Sequence, residues 1–265
     1  MAATKRKPFS LKCFGTGDGW PSPDRNHAAF FYRFGRTGLL VDCGEPIDRS
    51  YKASGMSYDA FDSVLISHLH SDHVGGFFML MQGAWLEGRR KDLPVYLPAG
   101  AIPPVRQMLE SVFIFDEILP FRLRLLPLHS SQSVVIGDVT ATAFRTSHLA
   151  GYRSRLRKKY RSDFNSYCFL FEHGRRRLGH SADLGRPEDL EPLLAGPLDM
   201  LVCELAHFSP EEIFGYLNGR DIRKIVFVHL ARSLQEDLAK TRRLAERMLP
   251  DIPHMFARDG EEIAF

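Results

Sequence analysis

Three histidines and an aspartate fall within six positions, at His68, His70, Asp72 and His73. Packing does not account for that density of ionisable rings, and metal binding does. The stretch Ser67-His68-Leu69-His70-Ser71-Asp72-His73-Val74-Gly75-Gly76 follows residues 62–67, whose short apolar β-branched run reads as a buried strand. It precedes residues 74–88, which read as a helix. His68 and His70 are two apart, so an extended backbone leaving the strand aims both rings to one side. Asp72 and His73 come after the turn into the helix and reach a second point in space. Gly75 and Gly76 then let the backbone pass close to whatever those side chains hold. Imidazole nitrogen and carboxylate oxygen suit zinc, and the same donors accept manganese or iron. A dinuclear site needs about six or seven protein ligands, so more donors must arrive from other segments.

The remainder of the chain supplies a body for such a site. With 265 residues, 44% of them hydrophobic, it has material for a sizeable core. No linker or short repeat divides it, so residues 1–265 read as one domain. Strand-like runs occur at 9–14, 28–34, 38–41, 94–98, 121–128, 134–146, 165–172, 175–178, 199–205 and 224–228. Residues 47–60 read as helical or mixed, and 102–115, 186–194 and 236–249 as helices. Another helix opens at Ser209, an N-capping residue followed by acids in the first turn. Residues 255–265 read as a closing hairpin about Asp259-Gly260. Two halves of strands with interspersed helices predict an α/β sandwich of two mixed sheets with helices outside. The apolar stripe Phe77, Phe78, Leu80, Met81, Trp85 and Leu86 is of core type.

Cys13, Cys43, Cys168 and Cys203 are far apart and read as buried free thiols of a reducing compartment. The N-terminus lacks the layout of a leader, and no apolar run approaches the roughly 18 residues of a membrane span. The expected location is the cytoplasm, with no membrane partner. A net charge of +3 does not by itself call for nucleic acid. Locally the balance differs, because residues 152–161 carry six cationic side chains. They read as a solvated loop or, from their place beside His148, as a loop that gathers anions.

Further donors stand just past predicted strand ends. His148 follows 134–146, Asp183 follows the second strand of a hairpin, and His229 follows 224–228. The potential ligands are thus His68, His70, Asp72, His73, His148, Asp183 and His229. The pattern His-x-His-x-Asp-His resembles the defining motif of the metallo-β-lactamase superfamily. Gly15-Thr-Gly-Asp-Gly-Trp-Pro-Ser-Pro-Asp-Arg-Asn26, by composition a loop built for tight, unusual backbone angles, is similar to the opening loop of ribonuclease Z and its phosphodiesterase relatives. The resemblance implies the metallo-β-lactamase fold, a four-layer αβ/βα sandwich. It also implies two divalent metal ions, one on His68, His70 and His148, the other on Asp72, His73 and His229, with Asp183 bridging. Asp42, at a strand end, is either the family's ligand-orienting carboxylate or a simple strand-ending residue.

Two such cations lower the pKa of a bridging water and stabilise charge on the oxygens of an in-line displacement, so no Ser or Cys nucleophile is required. The segment from Glu204 through His207 to Arg232 and Ser233 looks like a shortened form of the ribonuclease Z segment. There Glu204 and His207 match a Glu and a pocket His. Asp72, His207 and Glu204 are therefore the candidates for catalytic roles, with His207 either a general acid for the leaving oxygen or a surface histidine before a helix. Several positions depart from the family. Cys203 replaces a His, Ala182 and Leu184 replace Gly and Thr, and His148 and Asp183 stand only 35 positions apart, too close for the arm with which ribonuclease Z grips transfer RNA.

The resemblance implies a hydrolase, first of a small-molecule or nucleic-acid phosphodiester, RNA included; the sequence leaves the oligomeric state open, a homodimer among the options. The alternatives are a lactone or thioester hydrolase on the same fold and a non-catalytic metal-containing binding protein. The last is disfavoured because every ligand position is present.

Overall fold

The computed structural model of the chain describes residues 9–265. The expectation about a leader begins with residues 1–8, which lie outside that span. Six strands in chain order build one sheet: β1 (Phe9–Gly15), β2 (Ala29–Phe34), β3 (Thr37–Val41), β4 (Ser63–Leu65), β5 (Leu93–Pro98) and β6 (Leu123–Leu128). The next seven build the other: β7 (Gln132–Ile136), β8 (Val139–Thr146), β9 (Ser166–His173), β10 (Arg176–His180), β11 (Met200–Leu205), β12 (Ile225–Leu230) and β13 (His254–Phe256). β14 (Glu262–Ala264) then crosses back to pair with β1. Both sheets are mixed. β1 to β3 and β7 to β10 pair antiparallel, β3 to β6 and β10 to β13 parallel.

Parallel neighbours need long crossovers, and the chain runs these over the outer faces as α1 (Ile47–Ala53), α2 (Ser71–Val74), α3 (Phe77–Leu86) and α4 (Ile102–Ser111) on one side. α5 (Ala150–Leu156) lies between β8 and β9, and α6 (Pro210–Leu217), α7 (Arg232–Glu236) and α8 (Leu238–Met248) follow in the second half.

Period-two alternation explains the layering. On β2, Phe30, Tyr32 and Phe34 enter the space between the sheets, while Ala29 and Phe31 face outward among Tyr51, Phe77, Leu80 and Leu109 of the helices. On β12, Val226 and Val228 face inward, and Ile225 and Phe227 pack against Ile213, Phe214 and Ala245. The order is helices, sheet, sheet, helices, as expected. The four cysteines are buried and unpaired. No helix among the described residues is long and apolar enough to cross a membrane.

Several elements differ from the sequence expectation. Residues 134–146 are two strands, because Gly137, at φ +59°, turns the chain between β7 and β8. The helix expected at 74–88 begins earlier, at Ser71, and breaks at Gly75-Gly76, so Asp72 and His73 sit on a helical turn of their own. The helix expected at 236–249 is interrupted by Asp237, whose carboxylate accepts from Lys240 N and caps α8. At 186–194 only a 3₁₀ turn forms, over Pro187–Leu190.

The basic stretch 152–161 is helical in its first half, within α5. The closing hairpin is absent, since β13 pairs parallel with β12 and β14 antiparallel with β1 in the opposite sheet. A turn at Asp259-Gly260 and alternating flanks are common to a hairpin and to a crossover between sheets. The nearest open strand edge decides which forms.

Candidate metal centre

β8, β10, β11 and β12 run in one direction, so the loops after them emerge along one end of the second sheet. His148 follows β8 and Asp183 follows β10, whereas His229, expected just past its strand, is the last residue but one of β12, with φ at +49°. The loop after β4 brings His68 and His70 to the same place, and α2 brings Asp72 and His73. All seven predicted ligands therefore meet.

They meet as two groups. His68, His70, His148 and Asp183 form one and Asp72, His73, Asp183 and His229 the other, each with donor atoms within 4.8 Å of one another. Asp183 belongs to both. Its Oδ2 lies 3.7 Å from His68 Nε2 and 3.6 Å from His148 Nε2, while its Oδ1 lies 3.2 Å from His73 Nε2 and 3.4 Å from His229 Nε2. His148 Nε2 is 3.2 Å from His70 Nδ1, and Asp72 Oδ2 is 3.4 Å from His73 Nε2. Ligands about 2.0–2.2 Å from one tetrahedral ion lie roughly 3.3–3.6 Å apart, so the spacing of these atoms fits a shared cation.

The hydrogen-bond network prepares the rings for that use. Asp42, at φ +57° beyond β3, accepts from Ser67 N (2.7 Å) through Oδ1, and from Ser67 Oγ and His73 Nδ1 (both 2.8 Å) through Oδ2. The Ser67 proton is thereby committed to Asp42, and its oxygen accepts from His68 Nδ1 at 3.0 Å. With Nδ1 engaged in both rings, Nε2 is the nitrogen left for a metal, a bare lone pair on His68 and, on His73, one that a cation gains by displacing a proton. His68 Nε2, His73 Nε2 and Asp183 Oδ1 are buried without a hydrogen-bond partner. Such orphaned polar atoms are unfavourable, and a cation among them offsets the penalty.

Protonation equilibria reflect the same crowding. Burial, then the neighbouring His73, push His68 well below its ordinary value, and burial brings His148 down to about 4. Burial opposes the charged forms of His73 and Asp183 as well. Asp183 and Asp42 nonetheless hold His73 well above its ordinary value, and His229 and His73 hold Asp183 well below.

Braces between loops set the geometry. Asp189 was not a candidate from the sequence, yet its Oδ2 accepts from Ser147 N (2.8 Å), Ser147 Oγ (2.9 Å) and Gly185 N (2.9 Å), joining the loops of His148 and Asp183. Thr146 Oγ1 donates to Asp183 O at 2.9 Å. A Cβ on Gly185 would lie 2.4 Å from the Ser147 backbone and 2.6 Å from His148 N. Ala182, where the resemblance leads one to expect Gly, keeps the turn at φ +45°.

Two glycine expectations are corrected. Gly76 is needed where the backbone meets Ile47, Gly44 and Cys43, not at the donors, and a Cβ on Gly75 would meet only Ser71 of its own turn. In the loop 15–26 no residue has positive φ; Gly15 and Gly17 are there for close approach to residues 25–27. Arg25 and Asn26 turn inward, onto Thr16, Ala257 O and Phe14 O.

At the rim, buried Glu204 accepts from His207 Nδ1 at 2.7 Å and from the backbone of Leu184 (2.7 Å) and Ala206 (3.0 Å). His207 Nε2 comes within 3.8 Å of Asp183 Oδ2, and a third of the side chain remains exposed. Burial disfavours its charge, but the hydrogen bond and charge of Glu204 prevail and lift it to about 9. Arg232 meets loop 15–26 through its backbone N–H, on Asp18 Oδ2 at 3.0 Å, while its guanidinium pairs with Glu236 at 3.4 Å. His180, also buried, lies apart between the sheets, hydrogen-bonded to Tyr32.

A family model described as the beta-lactamase superfamily domain matches residues 37–247. The chain belongs to that superfamily. Among curated relatives, this member is 33% identical over 141 residues to ribonuclease Z from Archaeoglobus fulgidus, an alignment covering 53% of this chain and 45% of the relative. The superfamily member thus spans about half the length of the curated relatives it first matches. Among solved structures, the metallo-beta-lactamase fold protein YhfI from Bacillus subtilis superposes with a TM-score of 0.76 at 17% identity, covering 97% of this chain and 99% of that one. The short form of human tRNase Z gives 0.71 at 19% identity, covering 96% and 98%. The fold is the metallo-β-lactamase fold.

Proposed function

We propose that the chain is a metal-dependent hydrolase of phosphodiesters that carries two divalent ions, zinc first among them. The observation behind this reading is the carboxylate of Asp183, which presents one oxygen to each of two donor groups. His68, His70 and His148 would hold one ion, Asp72, His73 and His229 the other, and Asp183 both. Ions bound there acidify water and stabilise charge on the oxygens of an in-line displacement.

The chain's own residues position and protonate. Glu204 occupies Nδ1 of His207 and so turns its Nε2–H toward the cleft. Held protonated at neutral pH, His207 gives that proton to the oxygen leaving phosphorus. Similarity to ribonuclease Z and the exposed cations of residues 153–161 support a nucleotide-bearing substrate, RNA included. The reading takes residues 1–265 as one domain, supported by an interior shared between both sheets. It also takes two copies as the working unit, supported by the exposed apolar side chains Met108, Val112, Phe113 and Phe115. The four unpaired thiols support the cytoplasm as its compartment.

The test is metal analysis of protein purified without chelator, followed by assays on bis-p-nitrophenyl phosphate, cyclic nucleotides and lactones. Two equivalents of metal and phosphodiester cleavage that a chelator abolishes are expected. One equivalent in fully active protein refutes the two-ion site, and cleavage of lactones alone refutes the phosphodiester.

A further inference from the structure

A slot of about 380 Å³ opens beside His70. Leu69, which separates the donors His68 and His70, and Leu149, which follows the donor His148, both line it, so it is continuous with the candidate metal centre. Tyr152 and Phe164 add aromatic surface. The Tyr152 ring stands edge-on to His70 at 5.9 Å between centroids and is 46% exposed, so a face is available to a ligand. Ser162 and Asp163 contribute polar atoms to the wall. Asp163 is pinned there, its Oδ2 accepting from Gly100 N at 2.6 Å and its Oδ1 from Asn165 N at 2.8 Å, and each oxygen keeps a further lone pair. On α5 and the turn after it, Arg153, Arg155, Arg157, Lys158, Lys159 and Arg161 are all exposed.

This combination selects among occupants. An aliphatic chain would cover Ser162 and Asp163 while replacing none of their hydrogen bonds to water, which is unfavourable. A planar heterocycle has apolar faces for Tyr152 and Leu69 and a hydrogen-bonding edge for Asp163. The adjacent cations favour a ligand that also carries phosphate. We propose that the slot receives the nucleobase of the nucleotide whose phosphate lies at the metal centre, with Tyr152 as its stacking platform. Tyr152 is a specificity residue in this scheme and takes no part in bond cleavage. The placement of the phosphate rests on the phosphodiester reading; recognition of the base is tested without it.

The experiment compares, by titration calorimetry on the protein as purified with its metal, adenosine 5′-monophosphate, ribose 5-phosphate and hexyl phosphate. All three carry the same phosphate, so differences report on the slot. The nucleotide should bind about 5- to 150-fold more tightly than ribose 5-phosphate, the range for one base stacked on an aromatic side chain. Tyr152→Ala should remove most of that difference and Tyr152→Phe should keep it. Tyr152 is surface-exposed, so neither change threatens folding.

Equal affinity for the nucleotide and ribose 5-phosphate, or a difference untouched in Tyr152→Ala, overturns the proposal. So does hexyl phosphate binding as tightly as the nucleotide, which would assign the slot to an aliphatic group. A single-stranded trinucleotide that binds more tightly than the mononucleotide, with a steeper salt dependence, assigns the base to a polynucleotide. Equal binding assigns it to a free nucleotide, and either result supports the slot if it depends on Tyr152. Failure of the same preparation to cleave bis-p-nitrophenyl phosphate or cyclic nucleotides overturns the phosphodiester reading and leaves the binding comparison to judge the slot.

Discussion

Replacing Asp42 by Asn separates the orientation of the site from its ligands. Asp42 touches none of the other candidate ligands but His73, and Asn tolerates the left-handed backbone at φ +57°, so the turn itself is not strained by the change. Three donors converge on the carboxylate: Ser67 N on Oδ1, Ser67 Oγ and His73 Nδ1 on Oδ2. An amide has only one acceptor oxygen. Turned toward His73, it leaves Ser67 N–H facing an NH₂; turned toward Ser67 N, it opposes two donors. The first arrangement is the milder and still sets two buried donors, Ser67 N–H and the amide NH₂, against each other, at a cost of at least about 1–3 kcal/mol. In a domain of this size that lowers Tm by roughly 2–10 °C.

The acceptor behind His73 also becomes neutral, which weakens the ring as a ligand, and loss of such a partner lowers metal affinity about 10- to 100-fold. The melting temperature should be read in chelator, where metal linkage does not contribute, and metal affinity by competition with a chromogenic chelator. One equivalent should weaken and the other, on His68, His70 and His148, should change less. Unchanged affinity for both equivalents together with an unchanged Tm without metal would refute the assignment of Asp42 as the group that orients His73.

His207→Ala should slow diesters with poor leaving groups by roughly 10²-fold and spare p-nitrophenolate, which needs no proton; equal losses on both would remove His207 from that role. Gly185→Ala places a Cβ against the backbone of Ser147 and His148, so it should displace His148 and weaken one metal equivalent by about tenfold or more, measured by the same competition. Changing Arg155, Lys158 and Lys159 to Ala should weaken binding of single-stranded RNA and flatten its log-log salt dependence by about 0.7 for each phosphate that is no longer neutralised. An unchanged slope would make those exposed cations a solvated surface only.

The cluster at His68, His70, Asp72 and His73 was legible because its information is local. Alternation places two rings on one side, and a turn sends the next two donors elsewhere. His148, Asp183 and His229 were legible for a related reason: each stands just past the end of a predicted strand, and strand ends are where a sandwich gathers its loops. The layering followed from alternation in β2 and β12, which marks both faces of each sheet as apolar.

Other features depend on pairs of segments that no local pattern relates. Asp189 looks like one more acid in a short helical stretch, and its function is visible only against Ser147, 42 positions away. Gly15 reads as a turn residue, whereas the folded chain needs it for lack of a Cβ against His27. The last two strands carry the same turn signal and alternation whether they pair with each other or with opposite sheets, and only the positions of β1 and β12 separate the two outcomes. The slot beside His70 likewise needs the loop after β4, α4 and residues 149–164 together; that last stretch carries the aromatic ring, the carboxylate and the cations, but only the fold sets them against His70. Sequence periodicity states which side of a strand is buried; which groups then face one another across the cleft is set by packing, over distances at which the sequence carries no signal.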